Sequence, residues 1–497
     1  MSASSMKYGK KLQSSLSEMK MQDSADALVK LAIKAGDPYV AAAVHELATG
    51  ASKRQLEAQM METRRTALSL ARWEHTPASV LAALSGIGDD AVDLRLDKNP
   101  NTAAGVLSNL YVDASNKRNL DLTKLIAQHR NSEAAVLKTI ALYAEDADSL
   151  LALSKNPSAN AEVLACLSTR LAEDELSVAV NKNIAQNISA PADLLERIYR
   201  QSDLHTQVAI IGHVNCPDAL ITEAMASEDL LVMRTLARDR RVNADVLRRY
   251  AGSEDAGVRC GVAGNETTPL SLIGVLAGDS SELVRREIAS RQDLLPEHIA
   301  ALATDADAWV RQRLARNAIA PLDVLKVLAA DASTDVRRAV ARNTQCPLEL
   351  LELLAADGTA WVRAAVAYQH HSPAELLLAL AEDEDVDVLS GVANNPNTPQ
   401  QILEKLVASN EADVRRGVIL NKAATRNTLL PLLEDPYYLH RILMVANPSM
   451  HELDKWNLRE DPDYQVRFSV YRWAVKNIAP INARYIVGNE VIRRRRV

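Results

Sequence analysis

Between residues 180 and 470 the apolar positions of the chain recur with a step of 26. Val258, Val284, Val310, Val336 and Val362 mark it, each followed by arginine. The step continues through Val388, Val414, His440 and Val466, and backwards to Val232, Thr206 and Val180. With that residue as position zero, position 4 is apolar in every copy, from Ile184 and Ile210 to Met444 and Val470. Position 5 is mostly alanine (Ala237, Ala263, Ala289, Ala315, Ala341, Ala367, Ala393), and position 15 is Leu or Ile from Leu195 to Leu429. Position 18 is leucine in eight successive copies, Leu276 to Leu458.

Apolar residues at 0, 4 and 5 share one face of a helix, and a second apolar pair at 15 and 18 requires another. Each unit therefore reads as two helices. Asparagine often stands at position 7, as in Asn265, Asn317, Asn343, Asn395 and Asn421. Proline stands at position 11, for example Pro269, Pro321, Pro347 and Pro373. The expected place for that proline is the first residue of the second helix, where its missing N–H is not needed. Ser372-Pro373-Ala374-Glu375 then reads as a capping box. Cys216 and Cys346 share the serine's column as poor caps. A lone helix pair cannot bury its apolar face, so neighbouring units must stack.

Upstream of Val180 the register slips, with recognisable units at Leu150–Pro157, Val92–Pro100 and Ala67–Pro77. The expected organisation is a helical cap or small helical unit at 1–60, divergent repeats at 61–179, regular repeats at 180–476, and a C-terminal cap and basic tail at 477–497. The fold expected is all-α, a superhelical α-solenoid of about 15 two-helix repeats.

Composition adds exclusions. The net charge of −7 disfavours indiscriminate nucleic-acid binding. Phe468 is the one phenylalanine, and aromatics make up 4%, so the core is aliphatic. Cys166, Cys216, Cys260 and Cys346 are too far apart for a metal or redox motif and read as free thiols of a reducing compartment, which points to the cytoplasm. The first 21 residues have no apolar segment that would make a signal peptide, and no stretch is long enough to span a membrane. Phosphate-binding loops, nucleophile elbows and paired-histidine metal motifs are missing from the sequence, so no cofactor is expected. His370-His371 has no nearby third ligand.

The unit from Asp331 through Asp357 resembles the leucine-rich repeat variant family in its length, Val-Arg pair, asparagine, proline and leucine columns. The resemblance covers 180–470 well and 65–180 loosely. It implies a right-handed solenoid whose second helix is partly 3₁₀. Some family members carry a cysteine-rich iron–sulfur segment before the repeats; here no cysteine precedes Cys166, so that cofactor is not carried over. The spacing of aspartate and arginine is also similar to HEAT repeats.

Two sets of charged residues stand out. Asp279, Asp305, Asp331 and Asp357 each precede an arginine by six residues (Arg285, Arg311, Arg337, Arg363). They are expected to form a structural ladder in which each arginine pairs with the aspartate six residues before it. A second set lies at positions 2 and 6, away from the core columns: Arg234, Arg238, Arg286, Arg316, Arg338, Arg342 and Arg416. Stacking would align it as a basic stripe, interrupted at Ala364 and Ser390. Arg493, Arg494, Arg495 and Arg496 form a further basic tail. Trp309 and Trp361 precede the repeat valine and are expected as aromatic plugs between repeats. Neither has an aspartate one turn on, unlike the HEAT-like DNA glycosylases to which a solenoid with Trp and Arg invites comparison. Recurrent acids such as Glu297, Asp323, Glu349 and Glu375 suit helix N-termini. The reading favoured by the sequence is a non-enzymatic scaffold for a protein or peptide partner. The alternative is a nucleic-acid-binding solenoid that uses the arginine stripe.

Overall fold

The computed structural model describes residues 24–482. Among them there are 34 α-helices and no strand. They form two compact units: residues 171–428, and residues 24–170 together with 429–482.

The first of these is a regular helical repeat array. A representative copy has a first helix Ala308–Arg316 and a second helix Leu322–Ala329. Val310, Leu314 and Ala315 are fully buried on the first, and Leu325, Leu328 and Ala329 are buried on the second. Asp307 starts the first helix by accepting the Val310 N–H at 3.0 Å. Helices of eight or nine residues are too short to persist alone, so packing on neighbours holds them. At position 3 some copies carry glycine because the preceding repeat's alanine comes so near. A Cβ on Gly261 would stand 2.5 Å from the Ala237 Cβ, and one on Gly391 2.7 Å from that of Ala367.

The helix starts differ from the sequence expectation by one residue. Pro269, Pro321, Pro347 and Pro373 occupy the N-cap with extended ψ, not the first helical position. The ring fixes a φ that suits an N-cap, and the proline carbonyl still accepts the first helical bond, as from Leu325 N–H at 3.0 Å. Ser372 consequently precedes the cap, and no capping box forms. Its hydroxyl donates to the Val366 carbonyl at 2.6 Å, closing off the first helix. Thr268 and Thr398 do the same to Val262 and Val392. Cys216 and Cys346 fill this column as buried thiols, pushed up to about 11 by burial.

Position 7 carries the principal polar device of the array. Asn343 donates its side-chain amide to the Ala315 and Asn317 carbonyls of the preceding repeat, at 2.7 and 2.9 Å, and accepts the Gln345 N–H at 2.7 Å. Asn265, Asn317, Asn395 and Asn421 repeat this geometry. Arg291 and Gln369 substitute as donors to the same pair of carbonyls. These carbonyls terminate buried first helices and need a donor.

Up to residue 428 the second helices of the regular repeats are α-helical, whereas in the last two repeats the second helix ends in 3₁₀ turns at Leu430–Glu434 and Leu458–Glu460, as the resemblance implied. Further 3₁₀ segments lie at His45–Leu47 and Ser85–Ile87. In the other unit the same position-7 device recurs: Asn99 donates to Ala71 and Trp73, and Asn156 to Ala127 and His129. Its C-terminal helix Tyr464–Asn482 packs on Pro38–Val44 from the start of the chain. Tyr39 lies against Tyr464 with centroids 4.1 Å apart, and Trp73 meets Phe468 edge-on at 4.5 Å.

Candidate binding surface

The Arg–Asp ladder exists, with a partner other than the one expected. Arg285 grips the carboxylate of Asp305, twenty residues ahead, through Nε at 2.6 Å and a terminal nitrogen at 2.9 Å. Asp279, six residues behind, offers Arg285 only its backbone carbonyl, at 2.7 Å. Arg311–Asp331, Arg337–Asp357 and Arg363–Asp383 share the arrangement, as does Arg259–Asp279. Each aspartate carboxylate already faces the N–H two residues on, as Asp305 does with Asp307 at 2.8 Å. That turn points it at the preceding repeat's guanidinium. Burial opposes ionisation of Asp279, Asp305 and Asp331, but the arginine and the turn N–H outweigh it and hold these carboxyls below their ordinary value. At Asp357 and Asp383 the arginine is the largest influence, with the same result. In the other unit Arg441 binds Asp461 likewise, and Arg467 closes on Asp37 at 2.6 Å, 430 residues away in sequence.

The arginines of positions 2 and 6 divide into two groups. Arg234 forms a two-pronged pair with Asp255, Arg238 reaches Glu287 at 3.4 Å, and Arg286 is held by Asp307 at 3.1 Å. Arg316, Arg338 and Arg342 have no acidic partner among the described residues. Burial, and then the nearby guanidiniums of Arg338 and Arg316, lower the pKa of Arg342. Arg338 lies over the Trp361 ring at 4.9 Å, and its enclosed Nε has no acceptor. Arg416 is exposed, and it, Asp387 and Asp413 all act electrostatically on Tyr368. Arg493, Arg494, Arg495 and Arg496 lie outside the described residues.

Trp309 and Trp361 are not plugs: each is 56% exposed. Position −1 lies on the helix flank opposite the buried 0 and 4 positions, so stacking leaves it at the surface. Arg286 covers Trp309 at 5.7 Å in the way that Arg338 covers Trp361. Two repeats thus present the same Arg–Trp pairing, a feature the dipeptide pattern alone did not disclose.

Two other clusters of chemistry-bearing residues are partly paired within themselves. Asp90, Asp93 and Asp113 converge, but Lys117 bridges Asp90 and Asp113 at 3.1 and 2.8 Å and supplies the cation itself. An open cleft around Arg238, Arg240 and Arg241 contains Asp239, which binds Arg241 at 2.7 Å.

Residues 334–358 match the family described as Leucine rich repeat variant. A solved structure described as a leucine-rich repeat variant with a novel repetitive protein structural motif is 27% identical. That alignment covers 50% of this chain and 87% of the other, with a TM-score of 0.30. No curated protein matches the chain.

Proposed function

We propose that this protein is a non-enzymatic binding scaffold whose repeat surface recognises a protein or peptide partner. A helical repeat array supports a binding role in general, because stacked units generate an extended, regularly spaced surface. The observation that carries the reading is the pair of exposed tryptophans, each covered by an arginine, of which Arg338 beside Trp361 has no acid of its own. Trp and Arg are the side chains that dominate the energetics of protein interfaces. No helix among the described residues is long and apolar enough to cross a membrane. The free thiols support placement in the cytoplasm as part of the same proposal.

Affinity capture with the full chain, with and without nuclease, tests it. A specific partner that survives nuclease treatment is the expected result. A partner lost on nuclease treatment favours the second reading, a nucleic-acid-binding array, for which the unpaired arginines are the supporting observation.

A further inference from the structure

Most arginines of the first helices are committed to the fold or to a neighbouring acid. The position-1 arginines from Arg259 to Arg363 hold the next repeat's aspartate. Arg234, Arg238 and Arg286 hold Asp255, Glu287 and Asp307. Besides the exposed Arg313 and Arg416, what is left is a compact group. Arg316 and Arg342 occupy position 6 of adjacent repeats, and Arg338 lies one helical turn before Arg342. Arg316 and Arg342 are exposed. On either side stand Trp309 and Trp361, both exposed, and Tyr368 is 43% exposed at position 6 of the following repeat. Three like charges placed together with no carboxylate paired to any of them repel one another, so an anionic ligand relieves that repulsion as it binds. The tryptophan faces supply apolar area beside it.

We propose that this patch, built on Arg316, Arg338, Arg342 and Trp361 with Trp309 and Tyr368 at its margins, is the docking site for an extended acidic peptide segment of a protein partner. The proposal rests on the scaffold reading and gives it a surface and a partner chemistry. Two stacked repeats separate the tryptophans, so at roughly 8–10 Å per packed helix they are about 16–20 Å apart. A stretch of about five or six extended residues spans that distance. Its carboxylates meet the guanidiniums, which favour planar, two-pronged contacts with carboxylate. An apolar residue in the same stretch meets Trp361.

The position −1 column argues against a nucleic-acid strand. Asp335 is exposed between the two tryptophans, and Asp387 and Asp413 continue the column beyond Trp361. A polyphosphate running across successive repeats must pass these carboxylates, and single-strand binding needs a groove that stays basic along the backbone. A peptide spanning the tryptophans can set an uncharged residue over Asp335 and its acids over the arginines, which a strand charged at every unit cannot.

The test uses the full chain and fluorescence anisotropy. The probe is a fluorescein-labelled peptide of about eight residues, glutamate with interspersed leucine, long enough to span the tryptophans. The variants are Trp361→Ala and the double charge reversal Arg316→Glu with Arg342→Glu, with Arg234→Ala as the control outside the patch. All substituted side chains are surface ones, and circular dichroism melts establish that each variant keeps its fold. Saturable binding by the wild type, weakened roughly tenfold or more by each patch variant and left unchanged by Arg234→Ala, supports the assignment. Absence of saturable binding, equal affinity in the patch variants, or displacement of the peptide by oligothymidylate overturns it. Affinity capture separates this failure from failure of the scaffold reading. If the double variant retains a nuclease-resistant partner that the wild type captures, the surface assignment falls and the scaffold stands. If the wild type captures no such partner, the scaffold reading itself falls.

Discussion

From Arg259 to Asp383 each first helix is tied to the next repeat by a guanidinium gripping a largely buried carboxylate. Between Arg64 and Arg170 the stacking is the same but the charges differ. There the pairs include Arg64–Asp89, Lys117–Asp90, Lys124–Asp148 and Lys138–Glu162, with every basic side chain exposed. What both regions share is the position-7 donor: Asn99 and Asn156 in one, Asn265 to Asn421 in the other, each bonded to two carbonyls of the preceding repeat. The hydroxyl that closes the first helix is shared too, as Thr76 and Thr102 show beside Thr268 and Ser372. Stacking therefore depends on satisfying buried helix-end carbonyls, which water cannot reach. The Arg–Asp ladder is an addition that the divergent repeats do without.

The largest expected effect tests that shared device. Asn343→Ala and Asn156→Ala each strip the donor from two carbonyls, so each should destabilise its own unit by about 2–4 kcal/mol. Hydrogen exchange followed by segment is the measurement. A large loss at Asn343 with little at Asn156 would break the comparison, because the divergent repeats would then be held some other way.

A difference between the regions comes next in size. Asp97 replaces the alanine of position 5, is 2% exposed, and has no hydrogen-bond partner on either carboxyl oxygen. Burial pushes its pKa up to about 8. The folded state then holds a proton that the unfolded chain releases near the ordinary carboxylate pKa. Stability of this unit should fall as pH rises from about 4 towards 8 and level off above that. Asp97→Ala should reduce this slope, most above pH 6, because burial also raises Asp93 of the same unit to about 6, and should stabilise the unit by about 1–3 kcal/mol at pH 8. Thermal melts of the two proteins across that range decide it: a variant that melts at or below the wild-type temperature at pH 8 contradicts the account.

The smallest effect separates the two arginine sets. Arg337→Ala should cost about 0.5–2 kcal/mol, because Asp357 loses its guanidinium while remaining largely buried. Arg338→Ala should stay within about 0.5 kcal/mol, as should Lys124→Ala in the divergent repeats, whose pair with Asp148 is exposed. The ladder carboxyls titrate below their ordinary value when folded, so their contribution is complete above that value and is lost as pH falls through the depressed one. Arg337→Ala should blunt this acid-side loss. Urea melts at neutral and acid pH measure both effects; equal costs for Arg337 and Arg338 would remove the distinction between ladder and surface.

Much of the fold was legible. The columns at 0, 4, 5, 15 and 18 correspond to buried faces such as Val310, Leu314, Ala315, Leu325 and Leu328. Asn343 was visible as a recurrent residue, yet its role was not, because its acceptors lie 26 and 28 residues back. The candidate surface was legible only as a column of arginines. The acids that neutralise Arg234 and Arg286 lie 21 residues ahead, on the next repeat, and no local spacing rule reaches them.

The sequence by itself determined the repeat length, the helix pairs and the buried columns, since helical periodicity is a local property that each 26-residue unit restates. The tertiary structure alone decided which charges meet. Asp331 and Asp357 are both near Arg337 in sequence, and stacking turns one carboxylate towards Arg311 and brings the other to Arg337. It also decided that Arg467 meets Asp37, and that Arg316, Arg338 and Arg342 are left without an acid. The reason is physical: an ion pair forms between groups a few ångströms apart in space, and in a stacked array the nearest charge belongs to the neighbouring repeat as often as to the same one.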